Sequence, residues 1–382
     1  MNLYFDHSTA SPPSPRAIAE MQPFLQGFWA SPWAPYRKGQ EAAQQLNFLY
    51  QRMRRLLMVE EKDRMVVTSS SAEAISQVLF SVYREVTLKT GKNHFLYSAT
   101  AEAPILKGVK GLESLGCIGK SIPTHPAGYV MPNHLIEAIS PRTALVSLSI
   151  ANGLTGVKQP IEEIAAICRQ RGIYLHVDVS VIFGKQVWET PKADFWSLDG
   201  KIIGAPLGGG VLVGASQSPL ISLLFGGQEP LQIRGGAPSL AMTAGLIGAM
   251  QDALDGVDWV VTETARLKAQ FEEKLLHQIP GVKICFENED RLSYCTSVIF
   301  PGVVGEALFF LLHRKGIALS MGGSYFQQLS LILQACGIED QESQNALSFS
   351  FGQENRDEEL DILVRELIGA CRHLQKIGGY HA

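Results

Sequence analysis

Few side chains in this sequence stand where chemistry is possible, and most of them follow short apolar runs. Thr68-Ser69-Ser70-Ser71-Ala72-Glu73 comes after the β-branched run Met65–Thr68 and opens a helical pattern. A helix N-terminus carrying hydroxyls presents free N–H groups and the positive end of a dipole, which suits a phosphate. Ser70 to Glu73 equally matches a capping box, which satisfies those N–H groups without any ligand. Asp178 closes the run that holds His176 and Val177. A carboxylate there suits a metal, a general base or a cationic ring nitrogen, and simple capping explains it too. Lys201 lies between Gly200 and the apolar pair Ile202-Ile203. An amine desolvated at such a junction can form a Schiff base, whereas a solvated loop lysine does nothing. Gly208-Gly209-Gly210 leads into a strand rather than a helix, so it reads as a tight turn and not a dinucleotide cradle.

The elements that must position these residues alternate along the chain. Strands are predicted at Met65–Thr68, Phe95–Tyr97, Ala144–Leu148, Ile173–Val177, Phe195–Leu198 and Val211–Val213. Helical patterns occupy Ser70–Tyr83 and Ala101–Leu115, and another opens at Gln159-Pro160 and stops at Gly172. This alternation predicts an α/β fold with a mostly parallel sheet covered on both faces. After Gly256 the pattern changes to a long helix (Asp258–Leu276), short strands near Val282–Phe286 and Ser297–Phe300, and helices at Gly305–Arg314 and Asp357–Gln375. That tail suits a smaller α+β domain. Ligands of open α/β sheets bind beyond the carboxyl ends of the strands. The residues to be gathered there are Ser69–Glu73, Thr100–Glu102, Asn152, Asp178–Val181 and Asp199–Lys201.

Composition narrows the field. The 382 residues carry a net charge of −4, with 46% hydrophobic and 18% charged residues, which fits a globular protein and argues against disorder or a basic nucleic-acid binder. No apolar run is long enough for a membrane span and no signal-peptide pattern opens the chain, so a soluble, cytoplasmic protein is expected. The six cysteines form no C-x-x-C pair and no zinc spacing, so no metal site and no disulfide framework is expected.

Taken in order, a phosphate-suited helix start, Asn152, Asp178 and Lys201 are what a pyridoxal phosphate site needs. The chain resembles the cysteine desulfurase branch of the class V aminotransferases over nearly its whole length. Tyr4–Pro12, Thr68–Glu73, Ala151–Gly156, His176-Val177-Asp178, Arg234–Pro238 and Phe349–Gly352 are similar to that family's motifs in the same order. The resemblance implies the aminotransferase-like fold, with a mostly parallel seven-stranded sheet in a large cofactor-binding domain at 15–256. Residues 1–14 and 257–382 would form the small domain. It implies pyridoxal 5'-phosphate as cofactor, a small amino acid as substrate, a homodimer, and neither nucleic acid nor membrane as partner. Lys201 would be the catalytic Schiff-base lysine, Asp178 the partner of the pyridine nitrogen and Asn152 a donor to the phenolic oxygen. Ser70, Ser71, Ala72, Glu102 and Val181 would complete the cofactor site.

Departures from the family pattern concentrate in that site. The ring-stacking His falls at Glu102, a Gln at Val181, the phosphate-binding Thr at Ala72, a partner-subunit Thr at Ala237, and a Ser near the Schiff-base lysine at Asp199. The substrate-gripping Arg falls at Ser348 and the sulfur-accepting loop Cys at Tyr325. The resemblance therefore implies a divergent member, acting on a small amino acid without the usual Cys and Arg, or a silent dimeric scaffold or regulator.

Overall fold

The computed structural model describes residues 2–226 and 233–378. Its strands are β1 (Leu3–Tyr4), β2 (Arg64–Thr68), β3 (His94–Ser98), β4 (Ile118–Ile122), β5 (Thr143–Ser149), β6 (Tyr174–Asp178), β7 (Phe195–Asp199), β8 (Gly210–Gly214), β9 (Lys283–Ile284), β10 (Cys295–Ile299), β11 (Ile317–Ala318) and β12 (Ala346–Ser350). Seven of them form one sheet in the order β2-β8-β7-β6-β5-β3-β4. Only β8 runs against its neighbours, and the other pairs are parallel. Strands β5, β7 and β8 are buried along their whole length, which is why they read as unbroken apolar runs rather than alternating ones.

Register brings the chemistry to one edge. Ser149 pairs with Asp178, Asp178 with Ser197, and Asp199 with Gly210. Gly210 pairs in turn with Thr68. The carboxyl ends of β2, β6 and β7 thus lie side by side, and the helix Ser71–Val82 begins there. Position 210 has to be glycine because an added Cβ would come within 2.7 Å of the Ser70 carbonyl carbon.

A second core joins Leu3 and Phe5 to residues between Leu267 and Cys371. Its sheet is the antiparallel set β12-β10-β9, beside the parallel pair β1 and β11. Residues 2–14 act as a strap between the two cores. At one end Phe5 N–H donates to Ala318 O (2.8 Å) and Ser350 N–H to Phe5 O (2.8 Å). At the other, Ser11 N–H donates to Lys201 O (2.8 Å), Ser14 N–H to Gly204 O (2.8 Å) and Ser11 Oγ to Ile202 O (2.9 Å).

The elements not foreseen include one helix and one strand of the large sheet's unit. The helix Leu240–Asp255 has ten buried residues on all sides, so its sequence carries no face-to-face contrast. The edge strand β4 is mostly exposed and its Ile-Gly-Lys-Ser-Ile lacks an apolar alternation.

Candidate active site

Asp178 sits at the end of β6, 1% exposed. Ser197 Oγ donates to its Oδ2 at 2.5 Å and Ser180 N–H to its Oδ1 at 3.1 Å. Burial pushes its carboxyl up to about 6, and these two donors pull against that. Behind it His176 is fully buried, with Nδ1 2.8 Å from Ser147 Oγ and Nε2 3.0 Å from Ser197 Oγ. Burial pushes this imidazole down to about 3, so it is neutral at physiological pH. Only one proton order satisfies the row: Ser147 donates to Nδ1, Nε2–H donates to Ser197, and Ser197 donates to Asp178. Asn152 is equally settled, its amide NH2 donating to Thr100 O and its Oδ1 accepting from the Leu154 and Thr155 N–H groups, each at 3.0 Å.

Lys201 lies in the short 3-10 turn Gly200–Ile203 that follows β7. Gly204 ends this turn at φ +78°, a left-handed conformation that favours glycine. The Lys201 Nζ stands 4.7 Å from the centroid of the Tyr325 ring, a cation–π distance.

The helix start is filled by side chains of the chain itself. Ser70 Oγ caps the helix by accepting from Glu73 N–H at 3.4 Å, and the Glu73 carboxylate accepts from Ser69 N–H at 2.7 Å. Arg234 clamps the same carboxylate through Nε at 2.7 Å. Asp199 takes the place that a free anion would have. Its Oδ2 accepts from Ser71 N–H (3.3 Å) and Ser71 Oγ (3.1 Å), and its Oδ1 from Lys201 N–H (3.2 Å). The Tyr325 hydroxyl is 3.1 Å from the same Ser71 Oγ, and its backbone carbonyl accepts from Ala103 N–H at 2.9 Å. Tyr325 is 6% exposed. Burial, reinforced by Asp178, Glu102 and Asp199, pushes its phenol well above the usual range.

Glu102 is 1% exposed, and neither of its carboxylate oxygens has a hydrogen-bond partner. Burial first, then the Asp178 charge, push it well above the usual carboxylate range. Val181 is buried, its carbonyl accepting from the Tyr294 hydroxyl at 2.9 Å, and Ala72 is half-buried on the first turn of its helix. Ser70, Ser71, Asp178 and Lys201 therefore come to one sheet edge, with Asn152 and Glu102 beside it.

Lys201, Asp178 and the Ser70–Ser71 helix start, the groups that would hold pyridoxal phosphate, are gathered at this edge. The cavity lined by Ser98, Thr100, Glu102, Ser149 and Asn152 lies beside these groups and holds about 10 Å³, room for one water. The Asp199 carboxylate already occupies the anion position at the helix start, and the Tyr325 ring covers Lys201.

Sequence reasoning did not single out Ser197, which links His176 to Asp178, or Lys185. Lys185 is buried, donates to His7 O at 2.7 Å and stands 4.3 Å from the Tyr294 ring centroid. A polar residue inside an otherwise apolar strand, Phe195-Trp196-Ser197-Leu198, was the available signal for Ser197.

Similarity to known proteins agrees with this fold. The chain is 26% identical over 384 residues to a cysteine desulfurase of Pongo abelii, covering 98% of this chain and 83% of that protein. It is 27% identical to the cysteine desulfurase IscS of Methanosarcina thermophila, covering 98% and 94%. A solved NifS-like protein superposes with a TM-score of 0.90 at 24% identity, covering 98% of this chain and all of the other. Residues 3–363 match the model of the family described as aminotransferase class-V. The chain belongs to that family, whose enzymes depend on pyridoxal phosphate.

Proposed function

We propose that this class-V aminotransferase relative keeps amine chemistry at Lys201 for a small amino-acid or carbonyl substrate and has lost the sulfur-transfer step of cysteine desulfurases. Tyr325 carries this reading. It stands where the sulfur-accepting cysteine of the resembled family falls, and a phenol cannot form a persulfide. All six cysteines are buried, and burial pushes the thiol of Cys336, the cysteine nearest in sequence, up to about 12. Nor is there an arginine at position 348. Ser348 is buried in β12 and donates to Leu154 O at 2.8 Å, so a substrate carboxylate finds no bidentate partner there. The test is to incubate the protein with cysteine, a thiol reductant and added pyridoxal phosphate, and to assay sulfide and alanine. Release at the rate of an active desulfurase run alongside would overturn the reading.

The filled centre favours a second reading, a silent dimeric scaffold or regulator. Borohydride reduction in the presence of amino-reactive aldehydes separates the two: an adduct on Lys201 supports the first, and its complete absence supports the second. In either case we take the protein to be a homodimer. The Arg234–Pro238 segment resembles a family loop that reaches the neighbouring subunit's site, and most soluble homo-oligomers are two-fold dimers. A light-scattering mass of one chain at micromolar concentration would refute this. The reduced, buried cysteines support a cytoplasmic location. No described helix is long and apolar enough to cross a membrane. A large unit at 15–256 with a small unit from 1–14 and 257–382 agrees with the second core, although Cys285, Tyr294 and Tyr325 pack into the first.

A further inference from the structure

We infer that the cavity beneath the strap is a second small-molecule site, shaped for an α-amino acid with an apolar side chain that seats its carboxylate at Lys185 and its ammonium at Glu354. The site is separate from the Lys201 centre and does not depend on the function proposed above.

The cavity holds about 470 Å³, within the roughly 300–1,000 Å³ usual for small-molecule sites. The strap and the turn after Lys201 wall one side of it, and the segment that follows β12 walls another. Pro12, Pro13, Ile203, Val260 and Phe351 give it an apolar lining.

Most of the charged side chains in that lining are already engaged. Asp252 and Asp255 are claimed by Arg16 at 3.1 and 2.7 Å, and Arg356 Nη1 donates to the carbonyls of Gln353 and Asn355. His7 is neutral, because burial pushes its imidazole down to about 3.

Two opposite charges are left. Lys185 is 7% exposed, and among the described residues its ammonium has one hydrogen bond, to His7 O, and no ion pair. Burial pushes it down to about 8, while Cys295, Glu354 and Asp6 pull against that, so it still carries its charge at neutral pH. Asp6 accepts from Thr9 Oγ1 at 2.8 Å and is not part of the cavity wall. An enclosed ammonium without a counter-charge is costly, and a bound carboxylate removes that cost. Glu354 is half exposed, and the basic group beside it is the uncharged His7 ring, 3.9 Å away.

Both charges flank one residue. Lys185 holds the His7 carbonyl and Glu354 stands at the His7 ring, so a cation and an anion lie about one residue's breadth apart. The two ends of an amino acid's head group answer such a pair. A plain carboxylic acid would meet a like charge at Glu354, and a plain amine would leave Lys185 without a counter-charge. Ser11 and Ser14, in the same wall, hold Lys201 O and Gly204 O through their N–H groups. An occupant therefore braces the Lys201 turn from behind.

L-Leucine is the probe, alongside 4-methylpentanoate, which lacks the ammonium, and 3-methylbutylamine, which lacks the carboxylate. Binding to the full-length protein is measured by calorimetry. Its place is read from protection of Lys185 against acetic anhydride, mapped by peptide mass spectrometry. Leucine should bind about tenfold or more tightly than either analogue, the worth of one charge-assisted hydrogen bond, and should protect Lys185. Lys201→Ala should leave both readouts unchanged, which separates this cavity from the Lys201 centre. Lys185→Met should bring leucine down to the affinity of 3-methylbutylamine. Glu354→Gln should bring it down to that of 4-methylpentanoate, and this half-exposed position tests the site even if Lys185→Met does not fold. No leucine binding in the millimolar range, a preference below tenfold over either analogue, loss of binding in Lys201→Ala, or an affinity unmoved by Glu354→Gln would each overturn the inference. Aldehyde capture by Lys201 and sulfide release are read separately, so the proposed function stands or falls without touching this result.

Discussion

The two halves of the centre are built on opposite plans. On the side of Asp178, polar groups hold one another in an ordered row, Ser147 to His176 to Ser197 to Asp178. On the side of the helix start, polar groups of the chain stand where a ligand's would: Asp199 on the Ser71 donors and the Tyr325 phenol above Lys201. The carboxylate of Glu102, near Asp178 and Tyr325, has no hydrogen-bond partner. A position can thus keep its residue type and its full hydrogen bonding while its neighbour, one strand away, is converted from receiving a ligand to receiving the chain itself.

Four measurements break or sharpen this contrast. The largest effect is expected on acidification. His176 is held down to about 3, so it contributes stability that is complete above its unfolded value near 6.5 and is lost as pH falls through that window toward 3. The loss is on the order of 4 to 5 kcal/mol across the window. The stability gap between wild type and His176→Asn, read from urea midpoints at pH 7, 5.5 and 4, should narrow steadily with falling pH. A constant gap would mean that the row does not hold a neutral imidazole.

Asp178→Ala comes next. It leaves Ser197 Oγ and Ser180 N–H without their acceptor and should cost about 2–4 kcal/mol in urea unfolding. A cost under half a kcal/mol would place the order of that half elsewhere. Glu102→Leu should act in the opposite direction. Replacing an unpartnered buried carboxyl by an apolar side chain of similar size should stabilise the protein by about 1–2 kcal/mol. Destabilisation would reveal a partner for Glu102 and remove the asymmetry. The smallest effect is expected for Tyr325→Phe, which deletes one hydroxyl at Ser71 and should cost about 1 kcal/mol or less, with the melting temperature as readout.

Much of the sheet is legible in the sequence because its strands are short runs of β-branched and apolar residues between turn signals, as at Ala144–Leu148 and Val211–Val213. The helix Gly305–Arg314 is found where its pattern puts it. Strand β12 could be read only through its Phe-Ser-Phe-Gly motif, and β1 is too short to carry a pattern. In the site, Ser70 and Glu73 are readable as a cap because they are three residues apart. The closing of the centre is not readable in that way. It depends on Ser71 meeting Asp199 across 128 residues and Tyr325 across 254. Each of these looks like an isolated substitution until the fold brings them together, when they become mutual partners.

The strap formed by residues 2–14 has a kinetic consequence. Ser11 reaches Ile202 across 191 residues, and Ser8 N–H reaches Ser350 Oγ across 342. Contacts that close loops of this length carry a large entropy cost before they return any stabilisation, so they form late. The backbone of the Lys201 turn is held by the Ser11 and Ser14 bonds, and it can reach its final geometry only after both cores have condensed. In refolding, spectroscopic signals from the sheet should recover before Lys201 acquires its protected environment, and a chain lacking the strap should regain the first without the second.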